Sequence, residues 1–197
     1  MVDKFETFAF ADGSGNSSKD PEGLGNLVDA TPDTARTVGN IAQTTYTWWK
    51  NKTKTATGAA SVYLLSDMRT LFNNCSKGQA TDMPDGIVTD QTSAELYEDE
   101  VLEQKQIVNN TGTGDPMFSG VVFKGIPVMW SAACTAGYMY FLNSRFIGLN
   151  VDPDINMTMT EWKTIPNQLD RVAQIVWKGN LIVSRRKSQG VLITIAA

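Results

Sequence analysis

The chain has 197 residues, 42% of them hydrophobic, enough for one domain of ordinary size or two small interlocked ones. Its 17 Lys and Arg against 21 Asp and Glu leave a net charge of -4, the wrong sign for a protein whose main task is neutralising phosphates. It contains no histidine, which excludes Ser/His/Asp and Cys/His catalysis and every His-containing zinc site.

Cys75 and Cys134 lie in no CxxC pair, so neither a metal cluster nor a disulfide framework is expected; two buried, reduced thiols are the default. The opening residues carry no basic region followed by a long apolar run, and no segment approaches the ~20 apolar residues of a membrane span. The expectation is a soluble chain with no export signal, whose four sequons, at Asn16, Asn51, Asn109 and Asn156, arise by chance.

Along the chain, Val2, Phe5, Phe8 and Ala9 recur at helical spacing, and the polar run from Asp12 to Asp20 ends that helix. A helix of about two turns is marginal alone and needs tertiary support. Residues 21 to 52 read as extended structure with turns. They include Tyr46-Thr47-Trp48-Trp49-Lys50-Asn51-Lys52, where an extended backbone points Trp48 and Trp49 to opposite sides. One ring is then expected under a sheet and the other toward a neighbour, with Lys50 at the rim.

Between Ala59 and Cys75, apolar Val62, Leu64, Leu65, Met68, Leu71 and Phe72 recur every three or four residues, with Gly78 as the stop. Pro84 to Thr89 reads as a turn and strand. Thr92 with Glu95 offers a capping box for a helix to about Gln106, whose acidic residues form a solvated face. Strands follow at 121–130 and 138–143, then a pair at 171–178 and 180–186, and a last apolar strand from Gly190. Strands that follow helices without regular alternation make the fold class α+β.

Tests for chemistry return little. Counting from Asp12, the sixth and twelfth positions of a calcium loop hold Ser17 and Gly23, so an EF-hand is ruled out. No phosphate loop, nucleophile elbow or dinucleotide fingerprint is present. Asp152 and Asp154 could pair as glycosidase carboxylates, although a turn around Pro153 is their ordinary role. The basic knot Ser184-Arg185-Arg186-Lys187 reads as a phosphate contact, a solvated turn or an intersubunit contact. Trp48, Trp49 and Trp130 could serve a carbohydrate-binding β module. No cofactor or metal is called for, and no enzyme activity.

The order of short motifs nevertheless resembles the major capsid protein of tailed bacteriophages. Gly23-Leu24 and the run Val38 to Asn51 are similar to that family's "GL…GGIDRxTYxWWRN" signature, with Asn40, Ala42, Gln43 and Lys50 as departures. Pro84 to Thr89 with Tyr97, Phe123 to Val128, Met139 to Asn143, Gly179 to Arg186 and Gln189 to Leu192 resemble further family blocks.

The resemblance implies a fold shared with herpesvirus shells and encapsulins. Residues 1–50 and 151–180 would form a peripheral domain, the end of a spine helix and a β-sheet, and 51–150 with 181–197 an axial domain. It implies a virion component assembled in the host cytoplasm, self-associating as pentamers and hexamers around double-stranded DNA without sequence-specific binding, with other virion proteins as further partners. An encapsulin-like compartment is the alternative. The family's N-terminal arm, extended loop and most of the spine precede the point matched by Met1, and a companion chain is expected to supply them. Intersubunit contacts are expected at Trp48, Trp49, Lys50, Arg185 and Arg186.

Overall fold

The computed structural model describes residues 2–15, 20–76, 82–105, 122–166 and 169–196. Four helices occur among them: α1 (Val2–Phe10), the single turn α2 (Leu24–Leu27), α3 (Ala60–Ser76) and α4 (Gln91–Lys105). None is long and apolar enough to cross a membrane. The strands β1 (Thr37–Val38) and β2 (Ile41–Ala42) form a hairpin, whose turn residues Gly39 and Asn40 have φ of 60° and 61°. Asparagine is the residue after glycine that best tolerates this left-handed backbone, so Asn40 serves where the capsid-type signature carries glycine.

The centre is a six-stranded mixed sheet built from β3 (Lys52–Thr55), β4 (Gly86–Thr89), β5 (Val122–Phe123), β6 (Ile126–Trp130), β7 (Met139–Leu142) and β14 (Gly190–Ile193). Their spatial order is β3-β14-β7-β4-β6-β5, with β3 parallel to β14, β4 parallel to β6, and the remaining pairs antiparallel. Alternation along the strands assigns their side chains to two cores. Met139, Phe141, Leu192 and Ile87 face α3 and α4, whereas Tyr140 and Val191 face Leu24 and Val28 of the N-terminal segment.

Helix α3 buries Leu64, Met68, Leu71, Phe72 and Cys75 of the expected stripe and Ala60 besides, half-buries Leu65, and leaves Val62 67% exposed. Its first amide is held by the tail of the chain: Ala60 N donates to Ala196 O. Helix α4 begins two residues earlier than the expected cap at Thr92 implies. Asp90 is the cap, its carboxylate accepting from Ser93 N at 3.3 Å and from Gly137 N at 3.1 Å. The expected helix stops at Gly78 and Gln106 lie outside the described residues. Phe123 meets Phe72, Tyr97 and Phe141 edge-on at 6.1, 6.4 and 6.5 Å, binding both helices to the sheet.

From the sheet a long antiparallel ribbon extends. Its root pairs β8 (Ile147–Val151) with β13 (Gly179–Val183), followed by β9 (Thr158–Met159) with β12 (Ile175–Val176) and β10 (Lys163–Thr164) with β11 (Arg171–Val172). The expected pairing of 171–178 with 180–186 is therefore corrected: both lie in line on one side of the ribbon and pair back with residues 147–164. The reason is Asp152-Pro153-Asp154, which forms a short 3-10 turn within one strand and does not reverse the chain. Asp152 accepts from Asp154 N and, at 2.9 Å, from the Lys178 ammonium across the ribbon.

Gly23 fixes α1. A methyl group there would lie 2.2 Å from Phe8 O and 2.6 Å from Ala11 O, so the carbonyls that end the helix rest on bare backbone. Gly23→Ala is expected to destabilise the fold by about 3 kcal/mol through this overpacking, measured as a lowered midpoint in chemical denaturation.

Candidate functional site

The residues expected at subunit contacts divide between a buried network and an open surface. Arg186 is 1% exposed, which corrects its expected place at an interface. Its guanidinium donates five hydrogen bonds: Nε to Leu27 O at 2.7 Å, Nη1 to Gln43 Oε1 at 3.0 Å and Trp49 O at 3.5 Å, and Nη2 to Asn51 Oδ1 at 3.1 Å and Asn26 O at 3.5 Å. Gln43 Nε2 in turn donates to Asp29 Oδ2 at 2.9 Å, and Asn51 clasps the Asp29 backbone through both its amide atoms. Arg36 approaches the same carboxylate at 3.5 Å.

The Gln43 amide thus relays between a buried cation and a buried anion, Asn51 ties the cation to the Asp29 backbone, and no buried side-chain donor of the network is left unmatched. Burial pushes the Arg186 guanidinium down to about 10, partly offset by Asp29, which leaves it a cation at neutral pH. Asn51, the acceptor of one sequon, is buried and hydrogen-bonded here, so a glycan cannot reach it in the fold. Asn156 is exposed, while Asn16 and Asn109 lie outside the described residues.

Trp48 and Trp49 sit in a 3-10 turn, Thr47–Trp49, and not in a strand. The premise that sent their rings to opposite faces fails. The rings meet edge-on at 5.7 Å, Trp49 inward and Trp48 outward. Trp49 donates from Nε1 to Val38 O at 3.0 Å and covers the Arg186 guanidinium at 5.9 Å, so it packs on the buried cation and not under a sheet. Trp48 is 58% exposed beside Tyr46. Lys50 is tied to Asp33 at 2.7 Å, and Arg185 forks onto Asp82 at 2.5 and 2.8 Å over the Phe146 ring.

Asp152 is unsuited to acid catalysis, because the hydrogen bond from Lys178 holds its carboxyl below the usual range. The thiols of Cys75 and Cys134 are free and buried, and burial pushes both up to about 12. Neither is poised as a nucleophile.

The open surface was not anticipated. Along the ribbon, Leu149, Met159, Trp162, Ile175 and Ile182 are each more than half exposed, and Leu169 at the tip is fully so. At the root, α1 leans on one face: Phe5 meets Trp177 edge-on at 4.6 Å. Between them lies a cavity of about 320 Å³ floored by Leu149 and Leu181 and walled by Phe8 and Pro21. The isolated hydrophobic letters of 147–182 carried this signal, but their shared surface follows only from the ribbon pairing.

Replacing Arg186 by methionine removes the cation that offsets Asp29 and takes the Arg186 donor from Gln43 Oε1 and from the Leu27 carbonyl. A loss of roughly 3–5 kcal/mol in unfolding free energy is expected, and Arg186→Lys is not expected to restore it, since an ammonium cannot span five acceptors in a plane.

No protein-family model matches the chain, and no curated protein matches it. Solved structures do. A chain of the Cyanophage A-1(L) capsid asymmetric unit aligns over 98% of this chain and 65% of its own, with 17% identity and a TM-score of 0.65. The SrpI encapsulin of Synechococcus elongatus aligns over 99% and 61%, with 12% identity and a TM-score of 0.59. A capsid chain of a native GTA particle aligns over 99% and 63%, with 16% identity and a TM-score of 0.53. The chain spans a little under two thirds of the length of each. Identities this low speak to architecture alone: the chain has the α+β major capsid protein fold of tailed phages, shared with encapsulin.

Proposed function

We propose that the chain is a structural subunit that assembles with copies of itself into a closed icosahedral shell, without catalytic chemistry of its own. The observation that carries this reading is the ribbon of residues 147–183, whose large apolar side chains stand in solvent. Contiguous exposed patches beyond a few hundred Å² mark interaction sites in soluble proteins. Covering them with neighbouring copies removes that cost, and closed symmetry disposes of every such surface at once.

The finer reading is a phage capsid of pentamers and hexamers around double-stranded DNA. The likeness to the cyanophage and GTA capsid chains supports it, and so does the net charge of -4, which suits a lining that does not clamp its contents. In this reading residues 1–50 and 151–180 form the peripheral domain, and 51–150 with 181–197 the axial one. The likeness to encapsulin favours a second reading, a protein compartment that holds cargo instead of a genome.

Electron microscopy and sedimentation of the purified protein test the proposal: megadalton particles are expected, and a monodisperse monomer at every concentration and salt would refute it. Nuclease-protected double-stranded DNA in those particles decides for the capsid over the compartment. Within this scheme Trp48→Ala is expected to change unfolding free energy by no more than about 0.5 kcal/mol while lowering particle yield. Trp49→Ala is expected to cost about 3 kcal/mol of fold stability, because it uncovers Arg186.

A further inference from the structure

Directly after β14 the chain turns out of the central sheet and closes over the start of α3, and a strained residue makes the turn. Thr194 has a φ of 63°. Among the described residues it is the one β-branched side chain in the left-handed region, where such side chains are genuine outliers. It is exposed, and among the described residues its hydroxyl makes no hydrogen bond that would offset the strain.

That strain decides where Ile195 goes. In β14, Val191 and Ile193 pack toward the core of the N-terminal segment, whereas Leu192 packs against α3 and α4. Continued alternation would send Ile195 the way of Ile193. The left-handed residue between them reverses the parity, and Ile195 is buried with Leu192 in the core under the helices. Seated there, Ile195 N donates to Gly137 O at 3.0 Å, and Ala196 O accepts from Ala60 N, the first amide of α3, at 2.9 Å. Gly137 meets the turn with bare backbone: a Cβ there would lie 3.0 Å from Ile195 O. Its own amide is held by Asp90, the cap of α4. Thr194 and Ala196 are exposed and, with Thr92 and Leu96, border a cleft of about 470 Å³, so Ile195 is the one residue that anchors this segment by burial.

We propose that residues 194–196 are a two-position strap hinged at Thr194. Closed, it seats Ile195 under the helices and caps α3; open, Thr194 relaxes to an extended backbone, Ile195 withdraws and the Ala60 amide is released. Left-handed strain lowers the closed-to-open ratio by a factor of about five to thirty. Against it stand one buried side chain and two backbone hydrogen bonds. The strap therefore opens while the sheet stays closed, and it loosens the first turn of α3 without unfolding the subunit.

Native-state hydrogen exchange tests it. In the unaltered protein the amides of Ala60 and Ile195 are expected to exchange at a common rate, at least tenfold faster than those of Leu71 in α3 and Phe141 in β7. Thr194→Gly and Thr194→Asn accept the left-handed backbone and are expected to slow exchange at Ala60 and Ile195 about fivefold. Thr194→Val, equally β-branched, is expected to leave it unchanged, which separates backbone strain from any role of the hydroxyl. Exchange at Ala60 and Ile195 as slow as at Leu71 and Phe141 overturns the separate opening. Exchange that neither Thr194→Gly nor Thr194→Asn slows overturns the hinge.

Discussion

The guanidinium of Arg186 is the constraint around which the N-terminal third of the chain is arranged. A cation removed from water costs several kcal/mol unless its donors are matched, and here the matching groups come from Asn26, Leu27, Gln43, Trp49 and Asn51, which have little regular structure of their own. The segment from 24 to 51 holds a four-residue helix, two two-residue strands and one 3-10 turn, too little to specify a path. The cation specifies it, by converting five scattered acceptors into one required geometry. Asp29 completes the balance through the Gln43 amide, so the site is electrically compensated although the Asp29 carboxylate does not touch the arginine.

The same network explains how the sheet acquires its edge. Asn51 immediately precedes β3, and Gln189 immediately precedes β14; Lys52 N donates to Gln189 O where the two strands begin to run parallel. Arg186 and Asn51 thereby set the register of strands separated by 138 residues, with alternation carrying Leu192 to one core and Val191 to the other. The outer strands are blunted against stray pairing, β3 by Lys52 and Lys54 and β5 by being two residues long. On the ribbon, exposed side chains include large apolar ones and the strands are already paired with each other.

Local patterns made much of the interior legible. The stripe of α3, the strands at 86–89, 126–130 and 139–142, and the α+β class all follow from periodicity and turn residues. The motifs from Gly23 to Leu192 reached the capsid fold that the solved structures share. What escaped depends on long-range pairing. Nothing local distinguishes Arg186, which is enclosed, from Arg185, which stays partly exposed and forks onto the buried Asp82 carboxylate; their environments are set by residues 26–51 and 82. Trp48 and Trp49 were misjudged because the inference assumed a strand, and a 3-10 turn rotates the rings onto adjoining faces. Residues 171–178 and 180–186 carry the local pattern of a strand pair, but their partners lie at 147–164, and nothing in their own sequence shows it. Val62, placed in the stripe by spacing, lies at the opening turn of α3, where the sheet does not reach it.

The placement of β14 has a consequence for synthesis. It is inserted between β3 and β7, so the strand latest in chain order occupies an interior slot of the central sheet, and the carbonyl that caps α3 follows it at Ala196. Until Gly190–Ile193 emerges from the ribosome, β3 has no partner and both cores lie open along Leu192 and Val191. The central sheet therefore cannot close before residues 190–193 are available to bridge β3 and β7.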